Sequence, residues 1–587
     1  MRLRTTFVPH TALAFMCLVM IGCSVPVGPD REQTLPMAIS LEWSLPAQRD
    51  NGEPLGTLFR LEDNNGEPVC EVGFNWSFSS RVIGPNRMLQ LWCRSRLEVR
   101  SEDLGIPDEV SRRMSLALFQ DRITELTTNH QWRNGQWQQI STDTTTDGLR
   151  GSVSRRAAGA AASYSGLTQS VQQIGDAEMR FVYWTEHHPS RAIYKGRTVL
   201  EIPADLAAGM FAFDRIWISP ISGGELWHCR FRPDEDESCG SIEKLAYPGG
   251  SAYALAAWQD HVWIADSHGK IWSIRSNLAE GEAIELAFDS SKLEPAFPGE
   301  FYAFAVFGDS LLAGHYPTGQ IVGLNRSNSA ISWQPFGPIL GQRSSSRNPL
   351  TTSEIEVQAL LVHAGRLWAG VYPWGELYTL SADGTPVQKP FRFFRGARSN
   401  VPPFPFSDRL LRAAFTIHPG ATGRCSYDGS FTEFLEWGGR NEISVHKCLD
   451  RLGGYISKTD WGQRVPSLTL GATGLFAATG NRMNHSWLAS RDRNIITPSQ
   501  LKDYGRIWRI DVPGTYARHF SWPKRGVYPV SMEQSEEGPI RMKLLDGVVD
   551  LPLKDPASIR CIRIGRGSFG TAPGLIKVSS SSIPACA

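Results

Sequence analysis

One phrase recurs along this chain and limits what it can fold into more than any other feature. It reads DRIWISPISGGELW from Asp214, DHVWIADSHGKIW from Asp260, DSLLAGHYPTGQIV from Asp309 and GRLWAGVYPWGELY from Gly365. Each copy opens on a turn residue, runs through an apolar stretch, turns at a polar or Pro-containing segment ending in Gly, and resumes as a second apolar stretch. The turn glycines are Gly224, Gly269, Gly319 and Gly375, spaced 45, 50 and 56 residues apart. A strand-like run precedes each copy, as in AYALAAWQ and FYAFAVFG, and a fourth strand is expected after it, as in GEAIELAF. Four short strands in a unit of this length cannot bury their faces alone and must stack on neighbouring units.

The pattern resembles that of bacterial β-propeller repeat proteins, from about Ala160 to Pro513. The resemblance implies an all-β fold of seven four-stranded blades, with six or eight as open alternatives. RFVYWTEHHPSRAIY, from Arg180, reads as an earlier blade and TGLFAATG to YGRIWRI as a later one carrying an insertion. Arg412 to Asp450 supplies another, weakly patterned. Residues 1–22 read as a signal peptide, 23–39 as a tether, and 40–150 as a β-rich N-terminal region (a small domain or divergent blades). Within it, Asp103 to Gln120 admits a short helix. Residues 151–520 form the propeller, opening on a small-residue linker to Ser165, and 521–587 are strands that close or flank it.

The N-terminus carries an address. Arg2 and Arg4 precede TALAFMCLVMIGC, an apolar run too short to span a bilayer comfortably and built like a signal peptide. MIGC-S resembles the lipobox of bacterial lipoproteins, although Met20 stands where Leu is commonest. That resemblance implies a diacylated Cys23, a membrane attachment through lipid alone, and an outer-membrane or periplasmic location. Ordinary cleavage and secretion is the alternative.

Eight cysteines remain after Cys17 and Cys23, and they group by proximity as Cys70/Cys93, Cys229/Cys239, Cys425/Cys448 and Cys561/Cys586. An even number in short spacings fits disulfides formed outside the cytoplasm. Eight cysteines allow roughly a hundred connectivities, so sequential pairing is the simplest expectation. No CxxC occurs, which argues against a cysteine zinc site. The charge balance, 60 Lys+Arg against 59 Asp+Glu, lacks the basic excess expected of a nucleic-acid binder.

In propellers the loops joining second to third strands gather on one face, and rigidly held loops carry function. Here those loops bring together His187, His188 and Arg191; His268; His315 and Tyr316; and Tyr372 and Trp374. The insertion NRMNHSWLASRDRN adds Arg482, His485 and Trp487. Aromatic rings stack on sugar faces, and Arg pairs with carboxylate or sulfate. With His or Tyr as acid and base and Arg as neutraliser, such a set suits β-elimination of a uronate glycan. Propeller polysaccharide lyases are similar at this level of residue type. On this reading His187, His188, Tyr316, Tyr372 and Arg191 are catalytic, and His268, His315, Trp374, Arg482, His485 and Trp487 bind. Against it, Tyr-Pro-x-Gly is a good β-turn, so Pro317 and Pro373 have a purely structural account.

Other motifs point elsewhere or nowhere. GRGSFG, Gly565 to Gly570, satisfies GxGxxG but has no helix after it and reads as a turn. A glycoside hydrolase needs two convergent carboxylates, for which Glu186 and Asp266 are the available pair. No HExxH, GxSxG or sialidase-type Asp box occurs. No cofactor or protein metal site is implied, with Ca²⁺ and Zn²⁺ left open. The expectation is an exported propeller that binds or cleaves an extracellular, acidic polysaccharide. A non-catalytic scaffold with a protein partner and a glycoside hydrolase are the rivals.

Overall fold

A computed structural model describes, with short breaks, residues 38–44, 56–75, 88–103, 130–139, 168–204, 206–341, 355–393, 463–481, 507–519, 527–551 and 559–586. Apart from one 3₁₀ turn at Ser290–Lys292, these are strands and turns. Eight antiparallel sheets of four or five strands hold nearly all of them, beside a small hairpin of His130–Arg133 and Gln136–Gln139.

Sheets I to V are each one run of chain, and their strands are paired in sequence order. Sheet I comprises Thr168–Ile174, Ala177–Val182, Ser190–Tyr194 and Arg197–Ile202. Sheet II comprises Leu206–Ala212, Arg215–Pro220, Glu225–Arg230 and Glu243–Ala246. Sheet III is Ala252–Trp258, His261–Asp266, Lys270–Arg275 and Glu285–Asp289. Sheet IV is Glu300–Phe307, Ser310–Tyr316, Ile321–Ser327 and Ala330–Pro335. Sheet V is Glu356–His363, Arg366–Tyr372, Glu376–Leu380 and Phe391–Arg392. The first strands of successive sheets pack side by side. Four-stranded meanders stacked through their first strands make the chain an all-β propeller.

The remaining sheets combine the two ends of the chain. Sheet VI pairs Gln463–Gly471, Gly474–Asn481 and Ile507–Asp511 with Arg100–Asp103. Sheet VII starts at Thr515–His519 and continues with Met88–Cys93, Pro68–Asn75, Gly56–Glu62 and Cys561–Ile564. Sheet VIII joins Gly547–Leu551, Ile540–Leu544 and Val527–Gln534 to Ala38–Ser44 and Leu575–Ser581. First strands adjoin in sequence from sheet I to sheet VII. The β-rich N-terminal stretch is thus shared out among sheets that the C-terminal strands complete.

The repeat phrase has a structural meaning at each position. Its Trp lies on the second strand, where Trp217, Trp263 and Trp368 are almost wholly buried. Each indole N–H donates to the carbonyl five residues back: Ala212 at 2.9 Å, Trp258 at 3.3 Å and His363 at 2.9 Å. This locks the hairpin of the first two strands around a large apolar side chain. The turn glycines adopt left-handed backbone, with φ of +75° at Gly224, +69° at Gly269, +73° at Gly319 and +59° at Gly375, a conformation costly for other residues. Three of their carbonyls accept an N–H from the chain leaving the same sheet: Tyr247 to Gly224, Ser290 to Gly269, and Leu340 to Gly319. The phrase therefore fixes both the second-to-third turn and the exit toward the next sheet.

First strands share another feature. A register shift interrupts the pairing of the first two strands between Thr168/Ser170, Leu206/Ala208, Ala252/Ala254, Phe301/Ala303 and Val357/Ala359, and again at Arg464/Ser467. Bulges bend a strand and re-aim side chains. Repetition at one place in six sheets makes this bulge part of the blade design.

Cys70–Cys93, Cys229–Cys239 and Cys561–Cys586 are bonded, with Cα separations of 4.0, 5.9 and 4.9 Å. Cys425 and Cys448 lie outside the described residues, as do the signal segment with Cys23, the stretch expected to admit a helix (beyond Asp103), the linker before Ser165, and the weakly patterned blade.

Candidate functional site

The two ends of the strands differ, and the expected site lies at the second-to-third-strand end. His187, His188, Trp374, Arg482, His485 and Trp487 fall outside the described residues. Arg191 is not in a loop. It sits within the strand Ser190–Tyr194, half-buried, opposite Val182 and Glu201. His268 is exposed, and its backbone N–H donates to Asp266 at 2.9 Å.

His315, Tyr316 and Tyr372 require a correction to the expectation of an open working surface. All three are the last residues of second strands or adjoin them, with exposures of 0, 7 and 3%. His315 packs on the Phe301 ring at 4.9 Å and meets the Thr318 hydroxyl through Nδ1 at 2.8 Å. Burial depresses its pKa to about 3, so the ring is neutral and faces no solvent. The Tyr316–Pro317 bond is cis, the Pro317 carbonyl accepts from Ile355 N at 2.8 Å, and Thr318 bridges Ile355. The Tyr-Pro turn is thus a joint between sheets IV and V. Burial takes these three side chains out of reach of a ligand.

Tyr316 meets the Tyr302 ring edge-on at 6.3 Å, and Tyr302 stacks on Tyr253 at 5.1 Å with the planes 6° apart. Tyr253 and Tyr302 occupy the bulge positions of sheets III and IV. The Tyr302 hydroxyl bonds Glu300, and Gln358, at the bulge of sheet V, bonds Glu356. Among the described residues, rings and paired carboxylates gather at this end.

The hydrolase alternative loses Asp266. Its carboxylate accepts from the backbone of Gly250 at 3.1 Å, His268 at 2.9 Å and Lys270 at 2.8 Å, and from the Trp272 indole at 2.9 Å. Four donors on a fully buried carboxylate leave nothing for proton transfer to a substrate. Glu186 lies outside the described residues.

At the opposite end lies a cavity of about 1200 Å³. Its walls come from the first turns of sheets IV and V (Gly308–Ser310, Ala364–Arg366), the approach to the last strand of sheet V, and the strands and hairpin of sheet VII. Among the described residues, six cationic side chains line it, Arg60, Arg94, Arg366, Lys389, Arg563 and Arg566, against three acids, Glu67, Glu71 and Asp309. Arg60 and Arg563 both bind the buried Glu62, Arg563 at 2.7 and 3.1 Å. Burial pushes the Glu62 carboxyl up, but the hydrogen bonds and charges of the two guanidiniums outweigh it and hold the group ionised. Arg94 pairs with Asp63 at 3.0 Å and the Pro68 carbonyl at 2.8 Å, and Arg566 with Asp309 at 2.7 Å.

One wall is made by the segment that matched GxGxxG. Residues 565–569 cross the face of sheet VII as a strap. Ser568 donates to Glu71 from its N–H at 2.6 Å and its hydroxyl at 2.7 Å, and Thr57 adds a third bond at 2.6 Å. Gly308 N donates to the Ser568 carbonyl at 2.9 Å, fastening the strap to sheet IV. Gly567 is required because a Cβ there would lie 2.2 Å from the Glu71 carboxylate. Glu71 is completely buried, and desolvation raises its pKa despite these bonds. Glu62 also lies near Cys561 and Cys586, but their disulfide leaves no thiolate for a metal.

Sequence reasoning missed this cavity because its cations come from turns and strands hundreds of residues apart. The only local signal was the glycine-rich GRGSFG, whose arginine and serine face it.

No family model matches the chain, and no curated protein does. Among solved structures it is similar to Hsv2 of Kluyveromyces lactis at 10% identity, over 37% of this chain and 61% of that one, with a TM-score of 0.26. The Cps50 (Swd1) β-propeller domain of Myceliophteria thermophila gives 12% identity, 38 and 71% coverage and 0.26. A chain of the mitotic checkpoint complex gives 11%, 65 and 89%, and 0.29. At these scores the likenesses are remote, and the propeller assignment stands on sheet order and register.

Proposed function

We propose that this protein is an exported, lipid-anchored propeller of the bacterial cell envelope that binds an acidic oligosaccharide or polysaccharide without cleaving it. The reading is carried by the cavity, whose volume suits several sugar units and whose lining holds two cations, Arg366 and Lys389, with no acidic partner among the described residues. Guanidinium groups recognise carboxylate and sulfate through paired N–H donors. The rigid anchoring of the wall through Glu62 and Glu71 supports binding by a preformed site. Cleavage is the weaker reading, since Tyr316 and Tyr372 are buried. The scaffold reading has one observation in its favour: Ile221, in the second-to-third turn of sheet II, is 59% exposed.

A panel of uronate and sulfated oligosaccharides, titrated calorimetrically against the mature protein, tests the proposal. Saturable binding with no unsaturated uronate absorbance and no new reducing ends is expected. An absorbance rise would restore the lyase, and absence of binding across the panel would leave the scaffold.

A further inference from the structure

Four of the six cations around the cavity are already engaged, by Glu62, Asp63 and Asp309. Arg366 is not. It begins the second strand of sheet V, half-buried against the cavity, and no described residue forms an ion pair or hydrogen bond with its guanidinium. Burial lowers its pKa, the mark of a cation stripped of water with no counter-charge supplied.

A second observation converges on the same wall. Trp92 lines the cavity beside Arg366, so close to the preceding turn that a Cβ on Gly365 would lie 2.1 Å from its ring. Trp92 is 7% exposed and its indole N–H is buried away from the cavity, so the ring serves as an apolar wall against Arg366. Lys389, exposed at the same cavity, also lacks a partner among the described residues. Arg366 and Lys389 are donors only.

We propose that Arg366 and Lys389 form an oxyanion subsite that takes the carboxylate, phosphate or sulfate group of a larger acidic ligand. It rests on the reading of the cavity as a binding site and names the group that anchors the ligand there. The guanidinium fork takes two oxygens of the group, and the ammonium pairs with the charge that remains.

The test titrates glucuronate, inorganic phosphate and inorganic sulfate separately into the mature protein and into Arg366→Gln, Arg366→Lys and Arg94→Gln variants. Unfolding midpoints are recorded alongside. At least one anion binds the parent protein, and Arg366→Gln weakens it by about tenfold or more. Arg366→Lys keeps the charge and loses the fork, so it falls between. Arg94→Gln, whose parent residue is committed to Asp63, changes binding by less than about twofold. If Arg366→Gln fails to fold, the Lys variant carries the comparison. Failure of all three anions to bind, or equal losses at Arg94 and Arg366, overturns the subsite. A uronate oligosaccharide that binds Arg366→Gln as well as the parent overturns the subsite and leaves the cavity reading standing. Phosphate binding that depends on Arg366, with no glycan bound, supports the subsite and overturns the glycan reading.

Discussion

His315 and Trp263 illustrate how single residues hold this fold. Trp263 fills the space between sheets and ties its own hairpin through the bond to Trp258. Replacement by Phe removes that bond and costs about 1 kcal/mol, whereas Ala leaves a cavity and costs about 3–5 kcal/mol. Denaturant midpoints of the two variants check this ordering. His315 and His363 are both buried with pKa values depressed to about 3. The unfolded chain takes up protons below about pH 6.5 that these folded side chains refuse. Their contribution is complete above that pH and is lost progressively as pH falls toward 3. His315→Gln therefore flattens the dependence of stability on pH across this window by about one proton, read from unfolding midpoints at several pH values. A pH profile unchanged by the substitution would show that the ring titrates normally.

The strap and the blade turn are the elements whose behaviour follows from local geometry. Glu71→Ala strands the Ser568 and Thr57 donors in a dry interior and costs about 1–3 kcal/mol per unsatisfied group. Glu71→Gln keeps an acceptor of the same shape and stays closer to the parent protein, because burial already biases this carboxyl toward its neutral form. Hydrogen exchange at the Ser568 amide distinguishes them, with loss of protection in Ala alone expected. At the turns, Gly319→Ala meets both a φ of +73° and contacts at 2.6 Å with Ile355 and the Leu340 carbonyl. Gly196→Ala has a similar φ and open space. The first is the more destabilising, since about 1–2 kcal/mol of backbone strain is common to both. Equal losses would mean that sheets IV and V do not close on Gly319. These elements were partly legible in sequence. The repeat phrase announced its second strands, turn glycines and blade corners, because each is a local pattern of apolar spacing and turn chemistry. Its His and Tyr were misread as loop residues, because strand pairing extends through Tyr316 and Tyr372 and turns them inward.

Across the whole molecule, long-range pairing decides what the sequence hides. Nothing near Gly56–Glu62 announces that it pairs with Cys561–Ile564, and nothing near Ala38–Ser44 announces Val527–Gln534. Three disulfide pairings were readable because their partners are near in sequence. The cavity was not, because Arg60, Arg366 and Arg563 meet only once the ends are stitched together. On the proposed reading this assembled cavity selects acidic sugars by charge. Calorimetric titration of the protein with an acidic oligosaccharide and its neutral counterpart of equal length, at low and high salt, decides the matter. Saturable binding of the acidic ligand alone, weakened several-fold by salt, is the predicted result. Equal binding of both ligands, or none by either at millimolar concentration, would contradict it.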